Sequence, residues 1–368
     1  MTSDNRRLSA AQSNRRSILK GAGAGIAVSF GSALGIASVA RAAAPQAEDT
    51  LVISGVGGST QRLIETQIFP QFSRTYGVKR LIYIAGNGSE LLAKYRTERN
   101  RPSIDVAWVT SETTVDASRD GLLAQFDEAL IPNAQAIPAS MRSSPTALPV
   151  GVNAVGLLYN TEIFAEKGLP PPDSWLSLWK PEFKGHAGIL TIGNTGAKAL
   201  VAMLAHILTG DQRNLDAALD RLSALRPNLM DVFSSPGALD SAFQQRDVWL
   251  APQVALRALQ FRRAGVPIGF ARPKEGFTGY RVETGVIKGA PHPKAAHAWI
   301  DYLLQAETQL KLERLLGYGP IRPDIQIDED LKSYFPPATE VFSPDWSYLA
   351  EHRKALFDGW NQRVERQR

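Results

Sequence analysis

From residue 50 onward the chain alternates short apolar runs with polar turns and amphipathic stretches. Residues 51–54 form an apolar run of strand length, Gly55, Gly57, Gly58, Ser59 and Thr60 turn the chain, and apolar positions at helical spacing then extend over 61–76. Two similar units follow: a strand over 81–85 with Asn87, Gly88 and Ser89 opening a helix over 90–98, and a strand over 105–110 with Ser111 leading another helix. Three successive strand-then-helix units predict a parallel sheet with helices on its faces, where ligands sit beyond the carboxyl ends of the strands. Residues 131–150, with Pro132, Pro138, Pro145 and Pro149, read as loop and lead into an apolar, β-rich run over 152–159. That run is too short for a long helix and reads as a strand crossing between two lobes, with Asn160 and Thr161 supplying N-cap chemistry for a helix over 162–167.

The alternation resumes beyond it. Gly168 stops the helix, Pro170, Pro171 and Pro172 hold the chain extended, and Ser174 caps a short helix that buries Trp175, Leu178 and Trp179. Gly185 turns the chain into a strand over 187–191, and Gly193, Asn194, Thr195 and Gly196 open a helix over 197–209. His206 lies on a largely apolar face of that helix and reads as a core histidine rather than a ligand. A strand over 248–251 leads through Pro252 and Gln253 into a helix over 254–263, followed by a strand over 267–270. Helices are predicted over 290–305, with Pro293 in the first turn, over 306–316, and over 344–364.

Charge changes the picture once it is located. The net charge of +5 invites a nucleic-acid reading, yet Arg6, Arg7, Arg15, Arg16, Lys20 and Arg41 against Asp4 account for all of it. The remaining chain is electrically balanced, so no basic nucleic-acid surface is expected. With 44% apolar and 21% charged residues the composition is that of a soluble globular protein, and 368 residues suffice for about two domains. Residues 1–42 read as a cleaved signal peptide: a charged start, an uncharged run over 21–40, and Ala40, Arg41 and Ala42 as a small-residue cleavage site. Five glycines and three serines leave that run weakly hydrophobic, which argues against a retained membrane helix. Residues 14–20, NRRSILK, resemble the twin-arginine export motif, with Asn14 as a departure and Ile18 in the usual Phe place. That resemblance implies the twin-arginine export machinery as a partner and a periplasmic destination. The absence of cysteine excludes disulfides, thiolate catalysis, Cys-based metal sites and a lipidated N-terminal Cys.

Two stretches carry a resemblance to a known family. Tyr159, Asn160, Pro172, Ser174, Trp175, Leu178, Trp179, Pro181, Phe183, Lys184 and Gly185, in that order, are similar to the second-lobe entry of type II periplasmic solute-binding proteins. The nearest group is the ABC-importer receptors for spermidine/putrescine, ferric iron and thiamine. The turn Pro273, Lys274, Glu275, Gly276 before a strand resembles the second inter-lobe crossing of the same family, and Gly317, Tyr318, Gly319, Pro320 after a helix pair is also similar. The resemblance covers nearly all of residues 50–330 and implies an α/β, two-lobed type II periplasmic binding protein fold. Each lobe is then a mostly parallel sheet flanked by helices, with a ligand cleft between the lobes. It divides the mature chain into 43–152 and 276–325 for the first lobe, 153–275 for the second, and a C-terminal segment, 326–368, packing across both. It also implies a receptor that closes on a small-molecule solute and docks onto a membrane permease, working as a monomer, with no cofactor and no enzyme activity.

Candidate site residues follow from strand ends and loops. Ser59, Thr60, Asn87, Ser89, Trp108 and Ser111 recur at equivalent places in the first lobe; the glycine turn at Ser59 and Thr60 either grips an anion or simply joins strand to helix. Asn194, Thr195, Gln253 and Arg257 are expected to face them across the cleft, with Tyr280, Arg281 and Glu283 at the crossing. The polyamine receptors' carboxylates have no counterpart at Ser59, Thr60 or Gln61, nor over 194–196, and Glu283 stands alone beside Arg281. No Tyr-Tyr pair is available for ferric iron, and the five histidines lack metal-ligand spacing. The lining therefore suits a small anionic or zwitterionic organic solute, with the anion on Arg281 or Arg257 and any amine on Glu283. Arg281 and Glu283, two apart on a strand, either serve the ligand or pair with each other. A polyamine receptor, or an enzyme on the same scaffold with Glu283 or Asp105 as its base, are the alternatives.

Overall fold

Among the described residues, 48–142 and 144–365 of the computed structural model, nine strands form one sheet. They are β1 Thr50–Gly55, β2 Arg80–Ala85, β3 Val106–Thr110, β4 Leu148–Asn160, β5 Ala187–Leu190, β6 Leu229–Phe233, β7 Leu250–Val254, β8 Ile268–Ala271 and β9 Thr278–Val286. Their order is β2-β1-β3-β9-β4-β7-β5-β6, with β8 pairing β4. β1 is parallel to β2 and β3, and β5 to β6 and β7, as the strand-then-helix units predict. β9 lies antiparallel to β3, and β4 lies antiparallel to β7, β8 and β9. Each lobe is thus a parallel sheet closed on its inner edge by an antiparallel crossing strand. The export-signal reading of residues 1–42 lies outside the described residues.

β4 begins four residues before the predicted 152–159 strand, taking in part of the proline-rich loop. Pro149 is tolerated because the register slips between Pro149 and Gly151, a bulge where a missing N–H costs no ladder bond. The first part of β4 pairs with β9, and the part from Val155 onward pairs with β7 and β8, so a single strand serves both lobes. Two glycines permit this crossing: a Cβ on Gly279 would come within 2.4 Å of the Asn153 carbonyl oxygen, and one on Gly151 within 2.6 Å of Tyr318 Cβ.

The predicted helix over 61–76 is a continuous run of α1 Ser59–Leu63, a π-helical turn Ile64–Ile68, and α2 Phe69–Tyr76. α3 Gly88–Thr97 opens on a capping box between Asn87 and Glu90, and α4 Ser111–Arg119 follows β3 directly. In the second lobe come α5 Thr161–Glu166, capped by Asn160, and α6 Thr195–Thr209, capped by Asn194. α7 Leu215–Ser223, β6 and α8 Pro236–Gln244 fill residues 210–247, for which sequence patterns carried no expectation. α9 Ala255–Arg263, α10 Pro293–Leu303 and α11 Ala306–Leu316 lie near their expected places. The helix predicted over 344–364 is broken at His352 into α12 Trp346–Glu351 and α13 Arg353–Trp360. His206 is not a core histidine: it is exposed near the end of α6 and stacks on Phe342 with ring centroids 5.1 Å apart.

Two large cores flank the crossing strands. One gathers Leu51, Ile53, Phe72, Trp299 and Tyr302 around Val150, Val152, Val282 and Val286; the other gathers Val155, Leu157, Trp175, Leu178 and the apolar face of α6. Trp346, Leu349, Leu356 and Trp360 of the C-terminal helices complete the second core, while α12 also packs on α4 of the first lobe. The two stretches that carried the family resemblance meet here. The Ser174 hydroxyl donates to Glu275 Oε1 (2.5 Å), Trp175 Nε1 donates to the Gly276 carbonyl (2.9 Å), and the Lys274 N–H donates to the Asp173 carbonyl (2.8 Å). The turn that launches β9 is therefore fastened to the entry of the second lobe.

Two stability predictions follow from these cores. Trp175 is fully buried, so Trp175→Ala should cost about 3–5 kcal/mol in urea unfolding, while Trp175→Phe, which keeps most of the ring, should cost markedly less. Glu313 on α11 is also fully buried, with both carboxylate oxygens unpartnered, and burial pushes its pKa up to about 7. A carboxyl raised on folding binds more protons in the native than in the unfolded state, so stability falls as pH rises from about 4.5 to about 7. Glu313→Gln should accordingly be more stable than the parent at pH 8 and lose that advantage at pH 5, as read by thermal unfolding across pH.

Candidate functional site

The carboxyl ends of the parallel strands in both lobes open onto one cleft of about 650 Å³. From the first lobe, Thr60 after β1, Asn87 and Ser89 after β2, and Trp108, Thr110 and Glu112 at β3 and α4 line it. From the second lobe come Asn194, Thr195 and Lys198 at the start of α6, Ser234 after β6, and Gln253 and Arg257 at β7 and α9. The crossing strands supply Asn153 and Tyr280, while Tyr83 and Tyr318 add two further phenols.

Nine of the thirteen residues singled out from the sequence are brought together in this cleft: Thr60, Asn87, Ser89, Trp108, Asn194, Thr195, Gln253, Arg257 and Tyr280. Ser59 is exposed and outside the lining. Ser111 is turned to structure: its hydroxyl donates to the Arg281 carbonyl and accepts from the Arg281 N–H, both at 3.1 Å, stapling α4 to β9. Arg281 and Glu283 also lie outside the lining and pair with each other, Nε to Oε1 at 2.9 Å, with the Glu283 side chain 6% exposed. Asp105 is likewise occupied, accepting from the Val52 and His292 backbone N–H groups and facing His292 Nδ1 at 2.9 Å.

Within the cleft, several polar atoms that look free in the sequence are committed. Asn87 Oδ1 accepts from the Glu90 N–H and Asn194 Oδ1 from the Gly196 N–H, each as a helix cap. Other groups stay unpaired: Trp108 Nε1, Gln253 Nε2 and Asn153 Oδ1 are buried without a hydrogen-bond partner in the protein. Arg257 directs Nη1 to Gln260 Oε1 (2.9 Å) and Asp240 Oδ2 (3.2 Å). Burial pushes the Tyr280 phenol up to about 12, with Asn153 and Arg257 acting in the opposite direction, so it stays protonated and can donate. Burial also raises Tyr83 and Tyr318, so all three phenols are neutral donors or acceptors.

The sequence reading missed Tyr83, Asn153 and Tyr318, and it missed the ion pair between Glu112 and Lys198. Glu112 on the first lobe receives Lys198 from the second, Nζ to Oε1 at 2.8 Å and to Oε2 at 3.0 Å, and the Thr195 hydroxyl donates to it at 3.2 Å. A signal existed: a lysine in the first turn of a helix opposes the macrodipole, so Lys198 in otherwise apolar α6 needs an anionic partner. Nothing in the local pattern says that the partner sits on the other lobe.

The profile of a family described as bacterial extracellular solute-binding protein matches residues 67–337. A Salmonella typhi periplasmic protein named for 2-aminoethylphosphonate binding is 24% identical, over 89% of this chain and 96% of its own. The spermidine/putrescine-binding periplasmic protein of Escherichia coli is 23% identical, over 81% of this chain and 87% of its own. A periplasmic binding protein from Actinobacillus pleuropneumoniae, solved with fructose 6-phosphate, superposes with a TM-score of 0.69 at 20% identity, over 87% of this chain and 99% of that one.

The Arg281–Glu283 pair generates a direct test. Removing one partner of a buried ion pair leaves the other charge uncompensated, so Arg281→Ala should lose about 3–5 kcal/mol of stability in urea unfolding. Because neither residue lines the cleft, solute affinity of the folded variant, measured calorimetrically, should stay within about twofold of the parent.

Proposed function

The chain belongs to the bacterial extracellular solute-binding protein family, and from that premise we propose that its cleft captures a small anionic or zwitterionic organic solute for an ABC importer. The observation that carries the solute class is the charge of the lining. Among the described lining residues Glu112 is the one carboxylate, and Lys198 already neutralises it, while the second lining cation, Arg257, shares Nη1 with Asp240 and Gln260 behind it. A polyamine dication leaving water there would meet no available carboxylate and be poorly compensated. An anionic group would meet Arg257 beside the Trp108 and Gln253 side chains, whose N–H donors are buried and unpaired in this arrangement. The solute named for the Salmonella relative, 2-aminoethylphosphonate, has this character, with a phosphonate for the donors and an amine for Asn153 Oδ1 and the phenols.

In this reading residues 43–152 and 276–325 form the first lobe, 153–275 the second, and 326–368 joins them. The protein works in the periplasm as a monomer, exported through the twin-arginine route by residues 1–42. It binds rather than transforms its solute and docks, closed, on the permease. Binding at the lobe interface stabilises the closed arrangement because the solute completes hydrogen bonds from both sides at once.

The test is a calorimetric and thermal-shift panel on the chain from Ala43: 2-aminoethylphosphonate, amino acids, small organic acids, a sugar phosphate, putrescine and spermidine. A solute at a hundred times its Kd should stabilise by about 2.7 kcal/mol. Binding confined to putrescine or spermidine would overturn the solute class. For a binding anion, Arg257→Ala should weaken affinity by about tenfold to a hundredfold, the worth of a charge-assisted hydrogen bond.

A further inference from the structure

We infer that Lys198 sets the charge preference of the cleft by masking Glu112, an inference that rests on the functional reading above. Glu112 leads α4 in the first lobe and Lys198 sits in the first turn of α6 in the second, so their ion pair spans the cleft. Both side chains are largely withdrawn from water, at 17% and 6% exposure, and the ammonium reaches both carboxylate oxygens. The Thr195 hydroxyl takes a further lone pair at 3.2 Å, so little of the carboxylate is left for a ligand. Arg353 also pairs with Glu112, but at 3.9 Å and with Asp116 as its closer partner, so Lys198 supplies the close compensation.

The cost of placing a lysine at a helix N-terminus, against the macrodipole and inside an apolar helix, is offset by Glu112. Remove the ammonium and the balance inverts. Glu112 becomes a carboxylate on the cleft wall held only by Arg353 at 3.9 Å and the Thr195 hydroxyl, with an oxygen open to a cation that enters. Lys198→Met suits the test because it keeps an unbranched stem of similar length where the lysine packs near the Phe357 ring. On this inference a single side chain, contacting its lobe-spanning partner rather than the solute's anionic end, decides whether the site favours anions or diamines.

The experiment is titration calorimetry of the chain from Ala43 with putrescine and with 2-aminoethylphosphonate, with folding checked by circular dichroism and a cooperative melt. Lys198→Met should gain putrescine affinity by about tenfold or more and lose 2-aminoethylphosphonate affinity by a similar factor, whereas Lys198→Arg should keep the parent order. A folded Lys198→Met protein with no gain for putrescine overturns the inference, whatever the parent binds. Should that variant not fold, Glu112→Gln gives the reciprocal reading: the unmasked lysine should strengthen 2-aminoethylphosphonate binding, and unchanged affinity overturns the inference. A parent protein that itself prefers putrescine overturns the functional reading instead, so the two failures are told apart.

Discussion

The antiparallel pairing of β4 with β9 is the constraint on which the rest of the molecule depends. Both strands run from one lobe to the other, and their ladder joins two parallel sheets that would otherwise share no hydrogen bonds. Val150 and Val152 of β4 feed one core, and Val155 and Leu157 feed the other, so neither core can be assembled without this strand. The same stretch places Asn153 and Tyr280 in the cleft between the lobes. The close approach is bought by Gly279, whose missing side chain lets the two backbones lie against each other.

Around that hinge, much of the polar chemistry stabilises structure before it serves a solute. Asparagines at the strand ends cap helices, Ser111 staples α4 to β9, and Arg281 and Glu283 neutralise each other. The polar groups of the cleft that the protein leaves unpaired are fewer: an indole N–H on Trp108, an amide N–H on Gln253 and an amide oxygen on Asn153. A cleft lined this way discriminates by which ligand atoms can satisfy groups that are otherwise buried and unpaired. The ion pair from Lys198 to Glu112 couples that chemistry to geometry, because its two ends stand on helices at opposite sides of the cleft.

The fold was more legible in the sequence than the site, for physical reasons. Strand-then-helix units announce themselves through local periodicity and cap residues, as at Asn87 and Asn194, and the motif residues Ser174, Trp175 and Glu275 meet as their resemblance implies. Periodicity did not reveal the π-helical turn after Leu63 or the break at His352, since both keep the apolar spacing of a helix while changing its hydrogen bonding. Strand ends located most of the cleft lining, since that rule concerns topology. They could not separate residues that turn inward to staple the fold, such as Ser111 and Arg281, from neighbours that face the cavity. Nor could they pair Lys198 with Glu112, because partners 86 residues apart are joined only by tertiary structure.

The distribution of each core along the chain has a kinetic consequence. The first core needs residues from β1 near its start and from β9, α10 and α11 late in the sequence, and the second is finished by Trp346, Leu349, Leu356 and Trp360 close to its end. During synthesis, therefore, neither half can close on the emerging chain alone, and the decisive contacts span long sequence separations that slow folding. Both hydrophobic interiors depend on contacts between residues far apart in the chain, so each half waits on segments distant from its own.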